Sequence, residues 1–144
     1  MEQKSGIYGF FGEYRFLSNF YPVEIEYEGL KYKSTEAAYQ SAKTLDKQER
    51  LKFVDKTAYE SKKLGRKLIL RKDWEGVKIY IMYELLLKKF SNQYLKLKLL
   101  STENRYLEET NNWGDTFWGV CRNKGNNVLG ELLMKIRETC KNIK

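Results

Sequence analysis

A change of hydrophobic period near Ser34 constrains the fold of this chain more than any other feature. Before it, VEIEYEGLKYKS (residues 23–34) alternates on both sides of Glu28-Gly29, a pattern typical of a two-stranded hairpin. After it, most of the chain has the apolar spacing of helices. We therefore expect an α+β fold, a single compact domain over residues 1–144 that is mostly helical with a small antiparallel sheet.

Capping residues predict where the first helices begin. Ser34 suits the N-cap of a helix over STEAAYQSAK, residues 34–43. Two short basic helices should follow, because residues 46–49 and 57–60 have the spacing of capping boxes. The second of them should end near Gly65.

The second half of the chain predicts three more helices and an irregular strand region. Asp73 should cap a long core helix over WEGVKIYIMYELLLKKF, and QYLKLKLL should form a shorter one. The stretch RYLEETNNWGDTFWGV is predicted to be strand and loop. A final amphipathic helix should begin after Asn126 or Asn127.

The absence of histidine limits the available chemistry. It excludes imidazole bases, His-based triads and His-ligated metals, so acid–base work falls to carboxylates, lysines, tyrosines or cysteines. Cys121 and Cys140 lack the spacing of a metal site. We expect buried thiols, with a disulfide or a nucleophilic thiol as alternatives, and we expect no metal and no cofactor.

The sequence shows no segment that would place it in a membrane. No apolar run approaches the roughly 20 residues needed to cross a bilayer. The opening MEQKSGIYGF lacks the sustained apolar region of a signal peptide. We expect no membrane partner and a cytoplasmic location, in the host cytoplasm if the source is viral; the oligomeric state is not indicated.

Positive charge is concentrated in one segment, residues 43–72, which we call the basic block. It holds eleven Lys or Arg and four Asp or Glu, whereas the rest of the chain is nearly balanced at sixteen against fifteen. Such a footprint suits a polyanion or a phosphate-bearing ligand. The alternative is an ordinary solvated helical surface.

The helix predicted over STEAAYQSAK has an unusual polar face. Its small side is mostly alanine, while an acid, a phenol, an amide and an amine fall within about 100° of arc. This face is either a solvated surface or one wall of an active site. Its members are Glu36, Tyr39, Gln40 and Lys43.

Three other motifs combine aromatic and polar residues. In FLSNFYP, Asn19 either satisfies a turn or contacts a substrate hydroxyl or carbonyl, and Phe20 could stack on a base. Trp74, at a helix start, is either a stacking platform or a buried core residue. In WGDTFWGVCRNKGNN, Asp115 would supply a second carboxylate beside Glu36, the minimum for acid–base hydrolysis without histidine.

Six ordered blocks resemble the NADAR family, also called YbiA-like or DUF1768. They are FLSNFYP, STEAAYQSAK, LGRKLILRKDWEGVK, MYELLLKKF, LEETNNWGDTFWGV and GNNVLGELLMKIR, and the similarity spans roughly residues 7–138. The resemblance implies a compact α+β domain that cleaves N-glycosidic bonds without metal. Two activities are known in the family, hydrolysis of ribosylamino-pyrimidine intermediates of riboflavin biosynthesis and removal of ADP-ribose from modified guanine in nucleic acid.

The resemblance also implies site residues. The glutamate of the family's E-x-x-Y-Q block corresponds to Glu36, its closing lysine to Lys43, and the aspartate before W-G to Asp115. Two positions depart from the family, since many members have histidine where Ala37 stands and glycine where Cys121 stands. The remaining matches are Trp74 of the D-W block and Gly125, Asn127, Leu129 and Gly130 of the G-x-N-x-L-G block.

These residues suggest a mechanism. Positive charge builds on the ribose C1 and O4 as an N-glycoside breaks, and a carboxylate beneath C1 stabilises it and can activate water. We assign Glu36 to this role and Asp115 to orienting substrate or water. Lys43 either holds a phosphate or hydroxyl, or attacks an opened C1 aldehyde as an amine whose pKa is lowered.

The remaining candidates would bind the substrate. Trp74, with Phe20 or Trp118, would stack on the base or adenine, and Arg66 could reach a diphosphate. The predicted substrate-binding residues are Asn19, Phe20, Tyr39, Gln40, Arg66, Trp74, Trp118 and Asn127.

The basic block decides the expected substrate. Its charge favours ADP-ribosylated nucleic acid over a small ribosylated nucleobase. We therefore expect hydrolysis of ADP-ribosyl-guanine, with the riboflavin-pathway N-glycosidase as the alternative enzyme. A non-catalytic module that binds ADP-ribose or NAD-like ligands is the alternative from another class.

Overall fold

The computed structural model describes residues 5–142, and it has the predicted α+β composition. Short strands and a 3₁₀ helix precede the main helices, and further short strands precede the last helix. The elements are β1 (Ile7–Tyr8), a 3₁₀ helix (Gly12–Leu17), β2 (Pro22–Tyr27), β3 (Leu30–Ser34), α1 (Thr35–Ser41), α2 (Lys47–Leu51), α3 (Ala58–Gly65), α4 (Trp74–Lys89), α5 (Gln93–Leu100), β4 (Leu107–Glu108), β5 (Thr110–Asn111), β6 (Val120–Cys121) and α6 (Val128–Lys141).

The residues cluster into two compact units. One unit is Asn19–Ser91, called the central unit here; the other combines the residues up to Ser18 with those from Asn92 onwards and is called the terminal unit. The single domain over residues 1–144 stays a prediction. Its first four and last two residues, which include the start of the MEQKSGIYGF stretch, lie outside the described part.

The predicted hairpin forms the start of the central unit. β2 and β3 are antiparallel, with Ile25 opposite Tyr32. Between them, Glu28 and Gly29 have φ of 47° and 87°, and a tight turn of the hairpin-favouring type needs positive φ at both central positions. The alternation in the sequence therefore identified this hairpin correctly.

Helix α1 lies at the centre of this unit. It contacts both hairpin strands, α3 and α4, and all seven of its residues are buried. Its alanines allow these close approaches on one side, while its polar side chains are buried on the other. The polar face predicted for this helix is therefore not a solvated surface.

Most of the predicted caps of the central unit are present. The Ser34 hydroxyl accepts from the backbone N–H of Ala37 at 3.1 Å, and residues 57–60 form a complete capping box at the start of α3, which ends at Gly65. The predicted side-chain cap at Asp73 is wrong. Its carboxylate instead binds the Arg71 guanidinium at 2.7 and 3.1 Å, because a charge-assisted bidentate pair outcompetes a neutral N–H donor.

The terminal unit adds parallel strand pairs to the predicted antiparallel sheet, which is the β2–β3 hairpin. Its strands form two parallel pairs, β1 with β4 and β5 with β6, and an isolated antiparallel bridge joins Cys121 to Lys124. Asn127 occupies the N-cap of α6 but makes no side-chain capping bond. α5, β4 and α6 enclose the core of this unit, which includes the buried residues Leu99, Leu107, Leu129 and Leu133.

Two further expectations concern cysteines and membranes. Cys121 and Cys140 are buried free thiols, as predicted. Over residues 5–142, no helix combines the length and the apolarity that a bilayer crossing requires.

Candidate active site

The N-terminus of α1 places Glu36 against the FLSNFYP segment. The backbone N–H of Glu36 donates to the backbone carbonyl of Asn19 at 3.0 Å. This bond satisfies one of the N–H groups that the first turn of a helix leaves without an intrahelical partner. Two motifs that are separate in the sequence, FLSNFYP and STEAAYQSAK, therefore meet at the predicted catalytic glutamate.

The Glu36 carboxylate is buried and is held by its neighbour on the same helix face. Glu36 is 8% exposed and Gln40 5% exposed, and Nε2 of Gln40 donates to Oε2 of Glu36 at 2.6 Å. A carboxylate removed from water needs such donors. The acceptor-only carboxylate also determines the amide orientation, because only the NH₂ group of Gln40 can face it.

Lys43 follows α1 rather than lying on it, which corrects the predicted helix end. The helix stops at Ser41, with Ala42 as C-cap, and the backbone N–H of Lys43 donates to the Gln40 carbonyl at 3.2 Å. Its ammonium nevertheless lies 5.8 Å from the centre of the Tyr39 ring. The helical spacing predicted its neighbours correctly although it overran the helix by two residues.

Burial lowers the pKa of the Lys43 amine below its usual value of 10.5. The positive charges of Arg66, Lys62 and Lys78 lower that pKa further, and the negative charge of Glu36 opposes the shift. A like charge nearby and loss of hydration both disfavour the protonated form. The site therefore holds an amine that is easier to deprotonate than a surface lysine, within a group of cations.

Trp74 and Tyr39 form an aromatic pair beside Lys43. Their ring centres are 5.2 Å apart with planes tilted by 53°, and Trp74, the first residue of α4, is 4% exposed. The buried-core alternative for Trp74 therefore describes its state in this structure, and its stacking on a substrate stays a prediction. Phe20 lies beside one of these cations, with the Lys62 ammonium 5.7 Å from its ring centre.

Asn19 presents a buried acceptor. Its Nδ2 contacts the sulfur of Met82 at 3.5 Å, whereas its Oδ1 is buried with no hydrogen-bond partner among residues 5–142. A buried oxygen without a donor is costly unless a ligand supplies one. This geometry suits the predicted contact of Asn19 with a substrate hydroxyl.

Asp115 and Trp118 belong to the terminal unit, where they shape the tryptophan loop. Oδ1 of Asp115 accepts from the backbone N–H groups of Phe117 at 3.1 Å and Trp118 at 2.9 Å. These two bonds hold the turn that presents Trp118, whose ring lies edge-on to Phe117 at 4.9 Å. Asp115 thus has a structural task in addition to its predicted role with substrate or water.

Asn127 also uses its side chain within the terminal unit. Its Nδ2 donates to the Leu107 carbonyl at 2.9 Å and to the Tyr106 hydroxyl at 3.3 Å. Its Oδ1 accepts from the Glu109 backbone N–H at 3.0 Å. The side chain therefore joins β4 to the start of α6, and its contact with substrate stays a prediction.

Sequence reasoning missed two contributors to the central unit. Lys78 is one of the cations that lower the pKa of Lys43. In the sequence, the only indication of this was that Lys78 follows Trp74 by four residues in the predicted helix and so lies on the same helix face. Gly65 packs against the Gln40 amide, and a glycine closing a basic helix gives no local sign of that contact. Among residues 5–142, no group of three or more His, Cys, Asp or Glu could hold a metal ion.

Comparison with known proteins places this chain among N-glycosidases. The NADAR domain model matches residues 7–141. The N-glycosidase Npun_R5314 of Nostoc punctiforme is 36% identical over 138 residues, which cover 90% of this chain and 88% of that protein. The riboflavin biosynthesis protein VVA0006 of Vibrio vulnificus is 33% identical over 143 residues, which cover 96% of this chain and 39% of that protein.

A solved structure confirms the fold. The NMR structure of the Escherichia coli protein YbiA matches with a TM-score of 0.84 and 31% identity, over 97% of this chain and 88% of YbiA. The curated sequence of the E. coli K12 protein is named N-glycosidase YbiA. These relatives confirm the predicted family and α+β class, and their names support the prediction of a hydrolase that cleaves N-glycosidic bonds.

Proposed function

The chain belongs to the NADAR family, and we propose that it hydrolyses the N-glycosidic bond between ADP-ribose and a modified guanine in nucleic acid. One observation carries the proposal. A buried carboxylate, Glu36, lies beside a lysine whose amine is surrounded by further cations. Such a site offers one group for the sugar carbon and several for phosphates.

Glu36 would act on the sugar. As the bond from C1 to the base nitrogen lengthens, positive charge grows on C1 and O4, and the carboxylate stabilises it. The electron pair of the broken bond leaves with the base, which accepts a proton, and a water molecule activated by the Glu36 carboxylate adds to C1 and gives up a proton. Burial strengthens the interaction between the carboxylate and the developing charge because little water screens it.

Lys43 has two possible roles. As a neutral amine it would add to the C1 aldehyde of the opened ribose and expel water, forming a Schiff base that a second water later hydrolyses. Its lowered pKa supports this role. As an ammonium ion it would instead hold a phosphate or hydroxyl, a role that the neighbouring Arg66 and Lys62 support.

The other side chains would hold the two ends of the substrate. The unpaired Oδ1 of Asn19 would accept from a ribose hydroxyl. Trp74, Phe20 and Trp118 would stack on the base or adenine, and Asp115 would orient substrate or water, as the family resemblance implies. We place this activity in the cytoplasm.

The riboflavin-pathway N-glycosidase is a second candidate. The name of the V. vulnificus relative favours it, since that protein is described by riboflavin biosynthesis. Its substrate would be a ribosylamino-pyrimidine phosphate, which needs the same Glu36 chemistry and fewer phosphate contacts. The basic block favours the first candidate because a small monophosphate does not need so many cations.

The test is direct incubation with both substrates. The protein is mixed with ADP-ribosylated DNA and, separately, with ribosylaminouracil phosphate, and the released sugar is measured by mass spectrometry. Release from DNA supports the first candidate and release from the small substrate the second. Binding of ADP-ribose without release from either supports a non-catalytic module.

Two triple charge-reversal variants test whether the basic block causes the preference for nucleic acid. Changing Lys62, Lys63 and Lys67 together to Glu should weaken use of modified DNA and spare the small substrate, and wild-type binding to DNA should fall steeply with salt. The matched control makes the same change of charge outside the basic block, at Lys96, Lys124 and Lys135. Equal activity of the first variant on both substrates would remove the reason for preferring nucleic acid.

A further inference from the structure

Gly65 lies where any side chain would enter the space of Gln40. A Cβ built on Gly65 would lie 1.9 Å from Oε1 of Gln40, 2.8 Å from its Cδ and 3.2 Å from its Cβ. The first two distances are shorter than real Cβ contacts. Because Gln40 is buried, its amide could make room for a Cβ at residue 65 only by leaving its present position.

The backbone of Gly65 does not itself require glycine. Gly65 is the last residue of α3 and has no positive φ. Alanine is favoured over glycine in a helix, so local conformation would prefer the larger residue. The reason for a glycine here is the approach of the Gln40 side chain.

The amide of Gln40 connects this contact to the catalytic carboxylate. Its Oε1 faces Gly65 and is buried with no hydrogen-bond partner among residues 5–142, while its Nε2 donates to Glu36 at 2.6 Å. The two ends of one planar amide move together. A side chain at residue 65 would therefore displace the donor from the carboxylate.

We propose that Gly65 is a positioning residue, which leaves space for the Gln40 amide and so keeps the Glu36 carboxylate oriented by its Nε2–Oε2 hydrogen bond. The contact between Gly65 and Gln40 stands by itself, whereas its expected effect on catalysis rests on the proposed function. Gln40 likewise acts through Glu36, in addition to its predicted contact with substrate.

Gly65→Ala tests the proposal, with Gly76→Ala as the matched control. Gly76 lies in α4 of the same unit, and a Cβ there would meet nothing within 4 Å. The first readout is the side-chain amide resonance of Gln40 in ¹⁵N-labelled protein, identified by its loss in Gln40→Ala. Gly65→Ala should move this resonance to the position of an exposed glutamine, and Gly76→Ala should leave it unchanged.

The second readout is activity on whichever substrate the wild type cleaves. Loss of a hydrogen bond to a charged group should lower kcat about ten- to a hundredfold, with a smaller change in KM. In the Gln40→Ala background, Gly65→Ala should cause no further loss, because the group it displaces is gone.

The outcomes separate this proposal from the proposed function. An unmoved Gln40 resonance in Gly65→Ala overturns the positioning role, and so do additive losses in the double variant. If Gly65→Ala fails to fold, recovery of folding in the Gln40→Ala background supports the contact, and failure there overturns it. A wild type that cleaves neither substrate contradicts the proposed function, while the resonance still tests the positioning role.

Discussion

The backbone N–H of Arg71 donates to the backbone carbonyl of Lys43 at 2.7 Å. The guanidinium of the same arginine reaches the Ala42 carbonyl at 3.4 Å. These bonds join the two ends of the basic block, residues 43 and 71, at the end of α1. The charges of Lys43 and Arg71, near the two ends of the block, therefore lie next to the helix that carries the predicted catalytic face.

Glu36→Gln should separate catalysis from binding. The variant keeps an oxygen that can accept from Gln40 but removes the negative charge. We expect turnover to fall at least about a hundredfold, because the missing interaction strengthens only as charge develops on C1. Binding of ADP-ribose, measured by calorimetry, should be largely unchanged.

The control for this substitution is Glu26→Gln, since Glu26 is exposed in β2. It removes the same charge from the central unit without changing α1. An active Glu36→Gln enzyme would overturn the mechanism.

The pH dependence should distinguish the two roles of Lys43. Its pKa lies below 10.5 because of burial and nearby cations. If the neutral amine attacks C1, kcat should rise with pH through that lowered pKa. If the ammonium holds substrate, activity should instead fall over the same range, so the sign of the slope decides.

Borohydride trapping provides an independent test of Lys43. A Schiff base formed during turnover is reduced to a stable adduct on a peptide that contains residue 43. A holder role gives no adduct, and Lys43→Arg should then retain part of the activity, because arginine keeps the positive charge. Full loss in Lys43→Arg without any adduct would contradict both roles.

Trp74→Ala should first affect stability. Trp74 is buried against Tyr39, and truncating a buried tryptophan costs about 3–5 kcal/mol. The melting temperature should fall clearly, as measured by circular dichroism. Trp74→Phe keeps an aromatic ring beside Tyr39 and tests function in a folded protein.

If Trp74 also stacks on the substrate, Trp74→Phe should raise KM with little change in kcat. Stacking is worth about 1–3 kcal/mol per base, so partial loss is the expected result. Unchanged kinetics in a stable Trp74→Phe variant would leave Trp74 with a purely structural role.

Asp115→Asn should reveal whether Asp115 acts through its charge. Asparagine retains an oxygen for the backbone N–H groups of Phe117 and Trp118, so the loop should stay folded. A catalytic or orienting carboxylate predicts a loss of activity of about ten- to a hundredfold at unchanged melting temperature. Asp115→Ala removes the loop contacts as well and should lower both.

Wild-type activity in Asp115→Asn together with a destabilised Asp115→Ala would assign this residue to the loop alone. Asparagine retains an acceptor for the two backbone N–H groups and alanine does not, so the pair separates the carboxylate charge from the loop contacts.

Local pattern was sufficient for most elements of the fold. The Glu28-Gly29 turn, the Ser34 cap and the capping box at residues 57–60 all appear as predicted. These features depend on neighbours within a few residues, where backbone conformation and side-chain reach decide the outcome. The Asp73 cap failed because a competing partner, Arg71, lies equally close in the sequence.

Local sequence pattern predicted only part of the candidate site. Helical spacing placed Glu36 beside Gln40, since residues four apart lie on one face. It gave no sign that Asn19 would meet the start of α1. It also gave no sign that Gly65 would leave space for Gln40, because both contacts join segments that are distant along the chain.

Local sequence pattern is enough to predict the hairpin, the order of the helices, the excess of positive charge and the face that carries Glu36, Tyr39, Gln40 and Lys43. The burial of this face, the packing of Trp74 on Tyr39 and the return of Arg71 to Lys43 appear only in the folded chain. The difference lies in the distance along the chain over which each interaction acts. Capping and periodicity act over one or two turns, whereas the desolvation that lowers the Lys43 pKa depends on which distant segments pack around the amine.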